Sequence, residues 1–299
     1  REFYDAIADR LKSHLGEATD MGFCFSYQVN MGADVDGEVV MFSKEINAPE
    51  VIGTKVGRET LNACKRYSDA DRRIVILNDT VATLLGGMAN SDKKYSAYLG
   101  YIYGTGTNVC YIESAANIGK VSGLSVGEML VNTECGNYDG FVQGDFDKAC
   151  ISRTAVPDKQ LVEKTTSGKY LADIIAEAFA AARNEGCFVG DVTFAPFELK
   201  DVSVFLDGGE FPCKFNNDCD QRFARDICRE LVSRSAKMGA VVNSAIAVAS
   251  CKDKSLPVAI VAEGTTFNKL TGYRAEFEKY LDGILREYGM TYEIIQGEE

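Results

Sequence analysis

The sequence predicts an α/β fold, on three observations. Short apolar runs at 74–77, 98–103, 109–112 and 256–262 are each bounded by glycine or polar residues, the mark of buried strands. Segments with apolar residues at helical spacing lie between them. The two kinds of segment alternate along the chain, which is the pattern of a sheet covered by helices.

Taken in order, residues 3–15 place Phe3, Ile7, Leu11 and Leu15 four apart, predicting an amphipathic helix. A strand is expected over 21–29, rich in Phe, Tyr and Val, and another over 39–42 that runs into Ser43 and Lys44. Residues 56–67 read as a helix. The strand at 74–77 breaks at Asn78-Asp79-Thr80, and a helix follows through Met88. The strands at 98–103 and 109–112 are separated by Gly104-Thr105-Gly106-Thr107-Asn108. Residues 128–134 read as a strand that delivers Asn132 and Glu134 to a turn at Gly136. The tract 144–192 is expected to be largely helical, most clearly at 168–183, where Leu171, Ile174, Ile175, Ala178 and Phe179 form one apolar face. Residues 194–219 read as irregular. A long helix over 220–249 carries Ser235, Ala236, Gly239 and Ala240, small enough to let another element pack close. A strand at 256–262, a turn at Glu263-Gly264-Thr265-Thr266, a helix at 273–288 and a strand at 292–295 complete the chain. The expected domain break falls between Leu77 and Asn78, giving domains of 1–77 and 78–299.

Composition narrows the function. With 299 residues, 46% hydrophobic and 25% charged, the chain has the make-up of a soluble globular protein. A net charge of −12 opposes nucleic acid as a partner, which needs a basic face. No apolar run reaches membrane-spanning length, no signal peptide is read ahead of Arg1, and a cytoplasmic location is expected. The 10 cysteines form no C-x-x-C pair, so a zinc site is not expected and they read as reduced, small apolar residues. The one histidine, His14, reads as a surface helix residue and offers no catalytic dyad. Chemistry must therefore rest on carboxylates, lysine and backbone groups.

A carboxylate, Asp79, ends one strand, and a Gly/Thr turn ends the next, an arrangement suited to a base and a phosphate cradle. The residues alone leave Asp79 equally open as a helix N-cap. They likewise leave Glu134 and Glu163 open as solvated acids, Lys44 as a surface lysine, and 104–107 as a plain turn.

Several motifs in order resemble the hexokinase family of actin-like sugar kinases. Gly22-Phe23-Cys24-Phe25-Ser26 is similar to its sugar-binding strand, and Phe42-Ser43-Lys44 to its aromatic-Thr-Lys segment. Leu77-Asn78-Asp79-Thr80-Val81-Ala82-Thr83 resembles V-N-D-T-V-G-T, and residues 103–111 resemble I-V-G-T-G-T-N-A-C-Y. Asn132-Thr133-Glu134-Cys135-Gly136 resembles N-x-E-W-G, Glu163-Lys164 with Ser167-Gly168-Lys169-Tyr170 resembles E-K-x-x-x-G-x-Y, and 263–270 resembles the adenosine segment D-G-S-x-Y.

The resemblance implies a two-lobed actin-like ATPase (ribonuclease H-like) architecture, incomplete at both chain ends. The family's D-x-G-G-T-N hairpin and its late G-S-G-K-G-A-A segment are absent, and Leu206-Asp207-Gly208-Gly209-Glu210 reads as a loop rather than that hairpin. It further implies ATP-dependent phosphorylation of the 6-hydroxyl of a hexose, glucose above all, with Mg²⁺ and no metal ligand among the residues named here. Asp79 would be the base and Lys44 a cation near the transferring phosphoryl. Ser26, Ser43, Lys44, Asn78, Asp79, Asn108, Glu134 and Glu163 would bind the hexose; Thr105, Gly106, Thr107, Gly264, Thr265 and Thr266 would bind the nucleotide. The chain by itself is expected to be inactive. A silent sugar-binding regulatory protein and another actin-fold phosphotransferase remain open alternatives.

Overall fold

Helices and strands alternate in the structure, a computed structural model that describes residues 2–32, 34–42, 48–120 and 127–296. The chain divides after Ala82 into two units, Arg1–Ala82 and Thr83–Glu299, which puts Asn78 and Asp79 in the first.

The first unit runs α1 (Glu2–Leu11), β1 (Asp20–Cys24), β2 (Gln28–Met31), β3 (Gly37–Met41), α2 (Val56–Cys64) and β4 (Arg73–Leu77), and α3 (Asp79–Ala89) begins at its end. β1 and β4 pair in parallel, with Asp20 opposite Arg73 and Cys24 opposite Leu77. A parallel pair needs a long crossover, and here the antiparallel β2–β3 hairpin and α2 supply it. Tyr4, Ala8, Val39, Val51, Val56, Cys64 and Ile76 form the core. Asp36 ties the hairpin to α2 by accepting the N–H groups of Gly57 (2.7 Å) and Arg58 (2.9 Å), donors that a helix start leaves unpaired.

Two expectations change here. α1 stops at Leu11, and His14 lies on the turn that follows, exposed, with Nδ1 3.0 Å from Glu17 Oε2; the turn still buries Leu15, so apolar spacing continued past the helix end. The strand expected over 21–29 is two strands with different partners. Phe25 N donates to Leu77 O (2.8 Å), Ser26 leaves the sheet, and Gln28 begins the hairpin.

The second unit contains β5 (Ala97–Tyr103), β6 (Thr107–Ser114), β7 (Glu128–Asn132), α4 (Asp145–Ile151), α5 (Leu161–Thr166), α6 (Gly168–Asn184), β8 (Thr193–Phe194), α7 (Leu199–Leu206), β9 (Cys213–Lys214), α8 (Asp218–Ser250), β10 (Val258–Glu263), α9 (Thr265–Lys269), α10 (Tyr273–Glu287) and β11 (Tyr292–Ile295). Its main sheet has the order β11-β10-β5-β6-β7. β5, β6 and β7 are antiparallel neighbours, while β10 and β11 run parallel to β5. β10 lies inside the sheet with Val258 to Ala262 all buried, which is why it reads as an unbroken apolar run. The small residues of α8 are buried as expected, and the helix packs against α10, whose Tyr273, Phe277, Leu281 and Leu285 are fully buried. Each such side chain contributes roughly 1.5–3 kcal/mol of transfer free energy.

The tract 194–219 is more ordered than its glycines and polar residues predict. It holds α7 and the β8–β9 pair, because Phe194, Phe205 and Phe211 join Phe179 in one aromatic cluster. α7 ends at Leu206, and Gly208 turns the chain with φ +91°, so 206–210 is a loop. The expected turn at 263–266 holds only to Gly264; Thr265 and Thr266 open α9. Of the 10 cysteines, only Cys64, Cys110, Cys150 and Cys228 are buried, while Cys24, Cys187 and Cys219 are exposed. Among the described residues, no helix is long and apolar enough to cross a membrane.

Candidate active site

In the first unit, the parallel register brings the ends of β1 and β4 together at Cys24 and Leu77. Each strand then gives way to polar residues, Ser26 on one side and Asn78-Asp79 on the other. Asp79 opens α3, and its Oδ1 accepts the Thr80 N–H at 2.8 Å and the Thr80 hydroxyl at 3.3 Å. Asn78 Oδ1 accepts the same N–H at 2.9 Å, so the capping of α3 is shared between the two side chains. Burial pushes the Cys24 thiol pKa up, the charge of Asp79 adds to that, and a hydrogen bond with Ser26 pulls it down. The β1–β4 register thus brings Cys24 and the start of α3 at Asp79 to neighbouring strand ends. Ser43 and Lys44 lie outside the described residues.

In the second unit, the β6–β7 register sets Cys110 opposite Asn132, and Thr133 N continues the ladder to Val109 O at 3.1 Å. Two residues further, the same register brings Glu134 to Asn108. Asn108 Nδ2 donates to Asn132 Oδ1 (2.6 Å) and to Glu134 Oε1 (3.2 Å), and Asn132 Nδ2 donates to Glu134 Oε1 (2.8 Å). Glu134 takes this position in a left-handed conformation, φ 50°, which costs a non-glycine residue about 1 kcal/mol or more. Glu163 arrives from α5, where its Oε2 accepts the Thr107 N–H at 3.1 Å. A Cβ on Gly106 would collide with that carboxylate, so a side chain here would displace Glu163 from the Thr107 N–H.

Asn132 is a member of this group that sequence reasoning left out of the expected site. The signal was there: residues 132 and 134 stand two apart in the strand read over 128–134, so both were to be expected on one side. Cys135, where the resembling motif has Trp, brings Sγ 4.0 Å from Asn108 Oδ1; burial pushes its pKa up to about 11.

The expected nucleotide-binding residues fall into two backbone segments, and the start of α6 meets them. The β5–β6 hairpin is closed by Tyr103 opposite Thr107, with Gly104 N donating to Gly106 O (2.9 Å). Gly168 N, at the start of α6, donates to Gly104 O at 2.9 Å. Gly264, at the end of β10, has φ +125° and lies so close to the Tyr103 carbonyl that a Cβ would overlap it. Thr105 and Thr265 are exposed, and Thr266 lies against Gly168. Beside them, the Ser167 hydroxyl is buried with no hydrogen-bond partner among the described residues. Glycine backbone and a spare hydroxyl suit an anionic group. Among the described residues, no three His, Cys, Asp or Glu side chains gather to hold a metal ion.

A mixed sheet of this order, with glycine turns where β5 and β10 end, has the actin-like ATPase fold that hexokinase structures show. One family model described as Hexokinase matches residues 98–297, and a second of the same description matches residues 1–89. The chain belongs to the hexokinase family.

Hexokinase-5 of Oryza sativa subsp. japonica is 31% identical over 201 residues, covering 66% of this chain and 39% of that protein. Hexokinase-1 of Rattus norvegicus is 27% identical over 311 residues, covering 94% of this chain and 33% of that protein. The chain thus spans less than half the length of these two relatives. Among solved structures, the hexokinase from Schistosoma mansoni complexed with glucose superposes with a TM-score of 0.81 at 21% identity, covering 99% of this chain and 72% of that one.

Proposed function

We propose that this protein is an ATP-dependent hexokinase that phosphorylates the 6-hydroxyl of glucose or a related hexose. The observation that carries this reading is the joined set of Asn108, Asn132 and Glu134, whose amides and carboxylate form a rigid group of acceptors and donors fit for vicinal hydroxyls. Glu163 adds a second carboxylate in the same unit. Ser26, Ser43, Lys44, Asn78 and Asp79 belong to the hexose-binding set by their place in the motifs.

In this mechanism Asp79 accepts the 6-hydroxyl proton as the oxygen bonds to the γ-phosphorus and the bond to the bridging oxygen of the departing ADP breaks. Lys44 offsets the charge that develops on the moving phosphoryl. Thr105, Gly106 and Thr107, with Gly264, Thr265 and Thr266, hold the nucleotide. Mg²⁺ would supply charge neutralisation for the transferring phosphate, and no residue of this chain is assigned to hold it. A cytoplasmic location accords with ten scattered cysteines that form no C-x-x-C pair.

The test is glucose-dependent ADP production by the full-length protein that contains this chain, with Asp79→Ala beside it. Turnover that depends on glucose and collapses in the variant is expected. Glucose binding without turnover, or a variant as fast as the wild type, would overturn the reading.

A further inference from the structure

Helix α5 touches both candidate subsites. Glu163, in its first turn, takes the Thr107 N–H at 3.1 Å; its last residue leads through Ser167 to Gly168, which donates to Gly104 O at 2.9 Å. Where α5 ends therefore sets both contacts.

A helix leaves its last carbonyls without intrahelical partners. At α5, Thr166 O accepts from two buried hydroxyls, Tyr103 Oη at 2.6 Å and Ser235 Oγ at 2.7 Å, which stand 2.7 Å from each other. Tyr103 is the last residue of β5 and precedes Gly104, so one side chain ties the glycine turn to the helix end. Its ring is itself fixed, stacked on Tyr273 with centroids 4.0 Å apart, and burial raises its pKa so that it stays a neutral donor. Ser235 comes from α8, on the long helix at the centre of the unit's core.

We propose that Tyr103 and Ser235 are positioning residues for phosphoryl transfer. Their hydroxyls fix the end of α5, and through it they hold Glu163 at the hexose subsite and Gly168 at the nucleotide subsite. This rests on the hexokinase reading above and adds that one helix end couples the two subsites.

The experiment compares Ser235→Ala, Tyr103→Phe and the double variant of the full-length protein. The control is Tyr101→Phe, which removes a hydroxyl from the same buried cluster (Tyr101 Oη lies 2.7 Å from Tyr273 Oη) without touching Thr166. Steady-state kinetics with each substrate varied are read beside affinities for glucose and ADP by calorimetry. The KM for glucose and the KM for ATP should both rise about three- to tenfold in either single variant, the range one hydrogen bond is worth, and further in the double variant. Tyr101→Phe should lower the melting temperature and leave both KM values in place. Lowered melting temperatures with both KM values unchanged would overturn the proposal, and so would a rise for one substrate alone. If the wild type shows no turnover, the kinase reading fails, while the calorimetric affinities still decide whether the helix end couples two sites.

Discussion

Asp79 and Glu134 are both acids delivered by the end of a strand, yet the two units hold them differently. Asp79 follows a parallel strand and sits at a helix start, where the bonds among the described residues fall on Oδ1 from the adjoining Thr80 alone. Glu134 follows an antiparallel strand and is clamped by two amides from outside its own turn, at the cost of a left-handed backbone. The difference suits two tasks. A base must gain and lose a proton, so a lightly held oxygen serves it. A recognition carboxylate needs to stay in place, and the amides of Asn108 and Asn132 hold it there.

The comparison can be broken first at Asp79. Asp79→Ala is expected to lower kcat by ~10²–10⁴-fold while glucose affinity changes little, measured by steady-state kinetics and by glucose-dependent thermal shift. Equal losses in both would mean that Asp79 binds rather than transfers.

Glu134 should behave in the opposite way. Glu134→Ala removes the carboxylate and leaves Asn132 Nδ2 without its acceptor, while Asn108 Nδ2 keeps Asn132 Oδ1, so hexose affinity should fall roughly 10–100-fold. Glu134→Gly separates the two costs at this position. It should lose the same affinity yet gain about 1 kcal/mol of stability in denaturant unfolding, since glycine adopts φ 50° without strain. A variant that is destabilised instead would show that the amide clamp outweighs the backbone strain.

A smaller effect is expected at Gly106. Gly106→Ala pushes the Glu163 carboxylate away from the Thr107 N–H, so the KM for the hexose should rise about tenfold, as for one lost charge-assisted hydrogen bond. No change would mean that Glu163 finds an equivalent place and that the glycine is not required.

The smallest effect probes the charge of Asp79 directly. Its carboxylate, after burial, is the second cause that raises the Cys24 pKa. At pH 8 a raised pKa means less thiolate and slow alkylation. Asp79→Asn removes the charge, lowers the Cys24 pKa and should speed labelling of Cys24 severalfold, followed by peptide mass spectrometry. An unchanged rate would mean that Asp79 does not act on this thiol.

Much of this was legible in the chain. The strands at 74–77, 98–103 and 109–112 and the helix from Gly168 were visible because apolar spacing and glycine punctuation are local signals. The same signals failed where a pattern outlasted its element. Phe23, Phe25 and Tyr27 alternate across the point where the chain leaves β4 for a hairpin, and Leu15 is buried from a turn in helical spacing with Leu11. In 194–219, glycines and polar residues concealed a helix and a strand pair whose stability comes from distant Phe179.

What the sequence determined by itself is therefore the inventory: an alternating α/β chain, with carboxylates, asparagines and glycine turns at strand ends, in the order that hexokinases share. Only the tertiary structure decided which of them meet. It joined Asn132 to Asn108 and Glu134 through the β6–β7 register, and it brought Ser235 from 132 residues away to the hydroxyl of Tyr103 at the end of α5. The physical reason is range. Propensity and periodicity act over a few neighbouring residues, whereas a hydrogen bond between distant residues exists only once register and packing have set both partners in place.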